Sequence, residues 1–214
     1  MATLLFRLQG PLQSWGISSH FTERDTAREP SKSGVIGLVC AAMGRPRDAD
    51  LGDLVTLRMG VRVDREGILR KDFQVAQDIL EAAGKKVREN PEISNRYYLA
   101  DAAFLVGLEG YEPLLQEIWE ALKNPHWLLY LGRKAFPPGK PVYLPDGLRE
   151  EGLEDALLQY PPLIDKPNEQ IRLVFEDDSG EFARADVPLS FAERRFTSRR
   201  IHMKSAVLGE QGEG

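Results

Sequence analysis

Residues 3–16 read Thr-Leu-Leu-Phe-Arg-Leu-Gln-Gly-Pro-Leu-Gln-Ser-Trp-Gly. The opening Thr3–Leu8 run has the apolar content of a strand, and Gly10-Pro11 ends it: proline has no N–H to give a ladder, and glycine relieves the turn. A polar and basic loop follows from Gln13 to Lys32. The chain then enters its best-marked helix, where Val35, Ile36, Leu38, Val39, Ala42 and Met43 recur at helical spacing. Ser31 or Ser33 supplies the N-cap and Gly44 the C-terminal stop.

Working outward, residues 54–64 contain the alternation Val61, Val63 against Arg62, Asp64, the period of a half-exposed strand. Residues 97–108 read as a buried strand. Pro113–Lys123 forms an amphipathic helix with Leu114, Leu115, Ile118 and Leu122 on one face, stopped by Asn124-Pro125. A further extended segment covers 127–144, broken by the turn at Pro137-Pro138-Gly139. In order these elements are β-α-β-β-α-β. That predicts an α+β fold with a ferredoxin-like (RRM-like) domain, two helices on one sheet face and the other face free for a partner.

The charged segment 65–95 interrupts this pattern as a long excursion. After Pro145 come a short helix at 153–159, a strand at 171–176, the turn Asp178-Ser179-Gly180, a strand near 181–187 and a basic run. The expected organisation is residues 1–145 as the main domain, with an insertion at about 65–97, and residues 146–214 as a small β-rich C-terminal domain.

With 214 residues and 42% hydrophobic content, the chain can bury one or two cores. Its single cysteine, Cys40, lies in an apolar run and excludes an intrachain disulfide, so a reducing cytoplasm is expected. The N-terminal residues hold no signal-like or membrane-spanning stretch, and no membrane association is expected. A net charge of −5 argues against indiscriminate polyanion binding. Any nucleic-acid site must be local. Residues 1–100 carry 15 basic against 13 acidic side chains, whereas 101–214 carry 13 against 20.

Several residues fit such a local site. Arg24, Arg28 and Lys32 lead into the helix that begins near Ser33, whose free N–H groups and dipole suit a phosphate. Trp15 either stacks on an unpaired base or packs on that helix, and Gln13 and Ser14 either bond sugar and phosphate or face water. At Gly132-Arg133-Lys134 a glycine beside two cations allows close phosphate approach. If 194–204 is extended, Arg194, Phe196, Ser198, Arg200, His202 and Lys204 share one face, as a binding surface or as a charged edge strand. Catalysis finds little support. His20, His126 and His202 are scattered, and no phosphate-loop, serine-nucleophile or Cys/His metal spacing is present, so no cofactor, metal or enzyme activity is expected.

Four ordered blocks carry a family resemblance: Leu8–Gly16, Thr26–Gly34 with Arg47-Asp48 after the helix, Arg96–Phe104 and Tyr130–Lys134. They resemble the CasD-type subunits of type I-E CRISPR Cascade complexes, members of the RAMP superfamily. The resemblance implies a non-catalytic RNA-binding subunit that grips the 5′ handle of the crRNA. Its implied neighbours are the adjacent backbone subunit and the large subunit, with target DNA passing near the thumb. The excursion at 65–97 becomes that thumb, and Arg96 at its base becomes a handle contact. The resemblance therefore places RNA on Gln13, Ser14, Trp15, Arg24, Arg28, Lys32, Ser33, Arg96, Arg133 and Lys134. Some relatives in other subtypes cut repeat RNA with Tyr, Lys and His. Here the corresponding stretch holds Gln74 and no histidine, so catalysis is not carried over, and a metal-independent endoribonuclease processing repeat RNA stands only as the alternative reading.

Overall fold

The structure is a computed structural model and describes residues 2–17, 22–80, 91–166 and 170–207. The strands are β1 (Ala2–Gln9), β2 (Leu12–Gln13), β3 (Glu23–Arg24), β4 (Arg58–Arg65), β5 (Ile68–Ala76), β6 (Glu92–Ala100), β7 (Ala103–Gly110), β8 (Leu148–Arg149), β9 (Gln170–Glu176), β10 (Phe182–Ser190) and β11 (Arg195–Val207). The helices are α1 (Lys32–Met43), α2 (Gly52–Val55), α3 (Glu112–Lys123) and α4 (Leu153–Gln159). Among the described residues, an antiparallel sheet runs β10-β11-β9-β4-β7-β1-β8.

β1 pairs with β7 along its whole length, from Ala2↔Gly110 to Gln9↔Ala103. Its period of two sends Leu4, Phe6 and Leu8 to one face, where they meet Val35, Ile36 and Val39 of α1 and Leu115, Ile118 and Leu122 of α3. Leu5 goes to the other face. That face is not free, contrary to the expectation from the sequence. Leu153, Ala156 and Leu157 of α4 pack there on Leu5, Leu105, Leu173 and Phe175. Each buried leucine among them contributes roughly 1.5–3 kcal/mol, enough to make the second layer integral to the sheet. The sheet makes room with glycine: a Cβ on Gly60 would meet Leu157 Cδ1 at 2.7 Å, and one on Gly107 would meet Leu153 Cδ1 at 2.7 Å.

Two other expectations change. The single strand read over 97–108 is two strands, because Asp101 takes φ 56° and turns the chain between β6 and β7. The extended segment at 127–144 forms no strand. Its prolines remove donors, and it covers the edge of β1 through isolated bonds: Arg7 N to Val142 O at 2.9 Å and Gly139 N to Gln9 O at 2.9 Å. The edge strand proper is β8, two residues long.

The excursion contains a hairpin, with β5 and β6 antiparallel from Ile68↔Ala100 to Ala76↔Glu92. Residues 81–90 lie outside the described residues. Short β2 and β3 attach to β6 at Leu12↔Ala100 and Arg24↔Arg96. After residue 166, β9 hydrogen-bonds directly to β4, so β9, β10 and β11 extend the N-terminal sheet. β11 is internal, between β9 and β10, and not an edge strand; its buried side chains Arg199 and Ile201 share one face.

α1 has the caps its sequence announces: Ser31 accepts from Gly34 N, and Gly44 is left-handed at φ 72°. Cys40 is buried within it. No helix among the described residues is long and apolar enough to cross a membrane.

Candidate nucleic-acid interface

The turn after β1 is held by its own polar side chains. Gln13 is fully buried, and its amide donates to Leu8 O at 3.2 Å and Ala102 O at 2.8 Å. Its Oε1 accepts from the Trp15 indole N–H at 3.2 Å. Trp15 is 1% exposed and lies against α1, where a Cβ on Gly34 would sit 2.8 Å from its ring. Of the two readings of this tryptophan, packing on the helix is the one found. Ser14 donates through Oγ to Tyr97 O at 3.2 Å and through its N–H to Leu131 O at 3.1 Å. Gln13, Ser14 and Trp15 thus form a buckle joining β1, β6 and the 130–136 segment, with their polar atoms turned inward.

That buckle sets the position of Arg133. Gly132, at φ 88°, passes so close to Ser14 that a Cβ would stand 1.7 Å from its carbonyl oxygen, and Arg133 follows. Its guanidinium donates to Tyr97 O at 3.0 Å and Arg24 O at 3.3 Å. It also lies 5.6 Å from the centre of the Phe136 ring, which in turn meets Tyr98. β3 pairs in parallel with β6 at Arg24↔Arg96, bringing a second and third guanidinium to the same place.

Burial, followed by the charges of Arg96 and Arg24, lowers the Arg133 pKa from its ordinary value, while Asp72 and Asp25 oppose this more weakly. The result is a concentration of positive charge on a protein of net charge −5, and an anion entering it would relieve the repulsion. Lys134 and Arg28 are exposed nearby in the chain. Beside Gly132, Ser33 lines a cleft of about 220 Å³ with Gly34, Gly37, Leu38, Ala41 and Tyr130.

Lys32 does not belong to this group. It is 1% exposed; its ammonium bonds both oxygens of Glu176 at 2.9 and 2.8 Å, and burial, partly offset by Glu176, lowers its pKa. Its backbone N–H donates to Asp186 Oδ2 at 2.8 Å. The N-terminus of α1, expected to seat a phosphate, is therefore already occupied by a carboxylate from β10. Arg199 chelates the same Asp186 at 2.7 and 3.0 Å, which gives one member of the basic C-terminal run an internal role.

The described histidines stand apart. His126 follows α3 and meets the Trp127 ring edge-on, while His202 on β11 lies tilted against Phe175, ring centres 5.4 Å apart. His20 lies outside the described residues. Sequence reasoning missed Glu29, an acid inside the basic loop that is 2% exposed and paired with Arg172 and Arg184. The only signal for it was one carboxylate standing between Arg28 and Lys32.

Residues 3–205 match the family described as CRISPR-associated protein (Cas_Cas5). The chain is 28% identical to the "CRISPR system Cascade subunit CasD" of Escherichia coli (strain K12), covering 94% of each. A solved structure titled "Crystal structure of Cas protein" is 48% identical and superposes with a TM-score of 0.80, covering 96% of this chain and 95% of the other. A chain of a "CRISPR RNA-guided surveillance complex" is 34% identical with a TM-score of 0.81, over 96% and 90%. Matched along nearly all of its sequence, with the same fold at substantial identity, the chain belongs to the CRISPR-associated Cas5 family.

Proposed function

We propose that this protein is a non-catalytic, cytoplasmic subunit of a type I-E Cascade complex that grips the 5′ handle of the crRNA and links the backbone to the large subunit. The observation that carries this reading is the convergence of Arg24, Arg96 and Arg133, whose mutual repulsion on Arg133 outweighs the opposing pull of Asp72 and Asp25. Three guanidiniums gathered midway along the described β5–β6 pairing, where Arg24 joins Arg96, suit a bent single strand, whose phosphates they neutralise. The names of the relatives, a Cascade subunit and an RNA-guided surveillance complex, agree with it. Exposed Lys134 and Arg28 extend the grip, and half-buried Ser33 lines the neighbouring cleft. The β5–β6 hairpin is the thumb, reaching toward the adjacent backbone subunit and target DNA. The core is read as ferredoxin-like: β4-β7-β1-β8, with α1 after β1 and α3 after β7, has the connections that such a domain requires.

The test is binding of a repeat-derived RNA by the full chain and by Arg24→Ala, Arg96→Ala and Arg133→Gln, singly and combined. The combined variant loses roughly 10- to 1,000-fold at low salt, and its log–log salt slope falls by about 0.7 for each phosphate contact removed. Wild-type affinity in the combined variant refutes the grip. Incubation with unprocessed repeat RNA in EDTA checks the absence of cutting: discrete, saturable products establish a nuclease instead.

A further inference from the structure

We propose that Glu29 is a positioning residue for the RNA grip, fixing the segment that presents Arg24 and Arg28 by hooking it onto the C-terminal strands. The inference rests on the RNA-clamp reading above. The segment has two anchors. At its start, Ala27 N donates to Trp15 O at 2.8 Å and Trp15 N to Thr26 Oγ1 at 2.9 Å. At its end, the Glu29 carboxylate, 2% exposed, accepts from Arg172 Nη1 of β9 at 2.5 Å and pairs with Arg184 of β10. Arg172 is itself held by Glu66 through two bonds of 2.8 Å. Burial works against the Arg172 charge, but the bonds to Glu66 and Glu29 outweigh it and raise its pKa.

Arg28 stands between the anchors with its side chain exposed. Glu29 therefore does not neutralise the cations beside it in sequence. It faces the opposite way and spends its charge on arginines of the other half of the chain. For stability alone an apolar side chain of similar volume serves a buried site at least as well as an ion pair. What the ionic hook adds is direction: two guanidiniums, on β9 and β10 to either side of β11, define where residues 27–30 lie, and through them where the Arg24 carbonyl meets Arg133 and where Arg28 points.

The experiment compares the full chain with Glu29→Gln, Arg24→Ala/Arg28→Ala and all three changes together, measuring affinity for the repeat-derived RNA and the rate of trypsin cleavage after Arg24 and Arg28. Arg184→Gln, which leaves Arg172 in place, is the milder second variant should Glu29→Gln not fold. Glu29→Gln is expected to weaken RNA binding about tenfold and to speed cleavage at both arginines, yet to cost less than about twofold once Arg24 and Arg28 are gone. A purely structural role predicts instead that its cost adds in full to theirs, and that result overturns the proposal. So do unchanged cleavage and unchanged affinity in Glu29→Gln when Arg24→Ala/Arg28→Ala is impaired. If Arg24→Ala/Arg28→Ala binds RNA as wild type does, the reading of this loop as an RNA contact fails, while the cleavage rates still decide whether Glu29 pins it.

Discussion

Arg133 and Gly132 illustrate how much one backbone angle controls. A left-handed residue that passes against Ser14 can only be glycine, and the angle delivers the next side chain to the carbonyls of Tyr97 and Arg24. Gly132→Ala is expected to destabilise the fold by at least about 1–3 kcal/mol, read by urea denaturation, and to reduce RNA affinity together with stability. Arg62 is a contrasting case. Fully buried, it chelates Asp64 at 2.6 and 2.9 Å and donates to the carbonyls of Leu157, Tyr160 and Pro161, tying the end of α4 to β4. Removing one partner of such a group leaves the other charge stranded, so Arg62→Met should cost about 3–5 kcal/mol in the same assay with no direct effect on RNA contacts. In sequence these two arginines were unequal in legibility. Arg133 stood beside a glycine and a lysine, whereas Arg62 looked like the outward half of an alternating strand.

At the scale of elements, both ends of α1 and the stop of α3 were legible because caps are local. Ser31, Gly44 and Asn124 end their helices where the residue types require it. The α1–α2 connection offers a pH test. Arg45, just after α1, chelates Asp53 of α2 at 2.7 and 2.5 Å, and that hydrogen bond holds the Asp53 carboxyl below its ordinary 3.8. Because the folded value lies below the unfolded one, the unfolded chain takes up the proton first on acidification. The pair's contribution is complete above about pH 4 and lost as pH falls through the folded value. Both groups are partly exposed, so Asp53→Asn should cost only about 0.2–1 kcal/mol at pH 7, and chemical denaturation at several pH values should show the difference from wild type closing below pH 4. The strands at 97–108 and 127–144 were misread for one reason. Apolar runs and turns reveal that chain is extended, but not which neighbour it pairs with, and neither the turn at Asp101 nor the proline-rich cover over β1 has a periodic signature.

The whole molecule is joined by charges that cross it. Lys32 meets Glu176 and Asp186, and Glu29 meets Arg172 and Arg184, so the C-terminal strands lock residues 29–32 at the start of α1. Truncation after residue 166 would unpair β4 along one edge and leave Lys32 and Glu29 buried without partners. The shortened chain is expected to lose its cooperative thermal transition and become protease-sensitive throughout. Retention of a wild-type core digestion pattern would show the C-terminal strands to be dispensable. By itself the sequence determined the first strand, the helices α1 and α3 and the family, since turn residues, periodicity and ordered motifs are properties of neighbours along the chain. Only the tertiary structure decided which basic residues are free. Lys32 and Arg199 are consumed by carboxylates more than 140 and 10 residues away in sequence, respectively, while Arg24, Arg96 and Arg133 converge from three separate segments. Charge pairing at a distance of a few ångströms is set by strand register, and no local pattern records it.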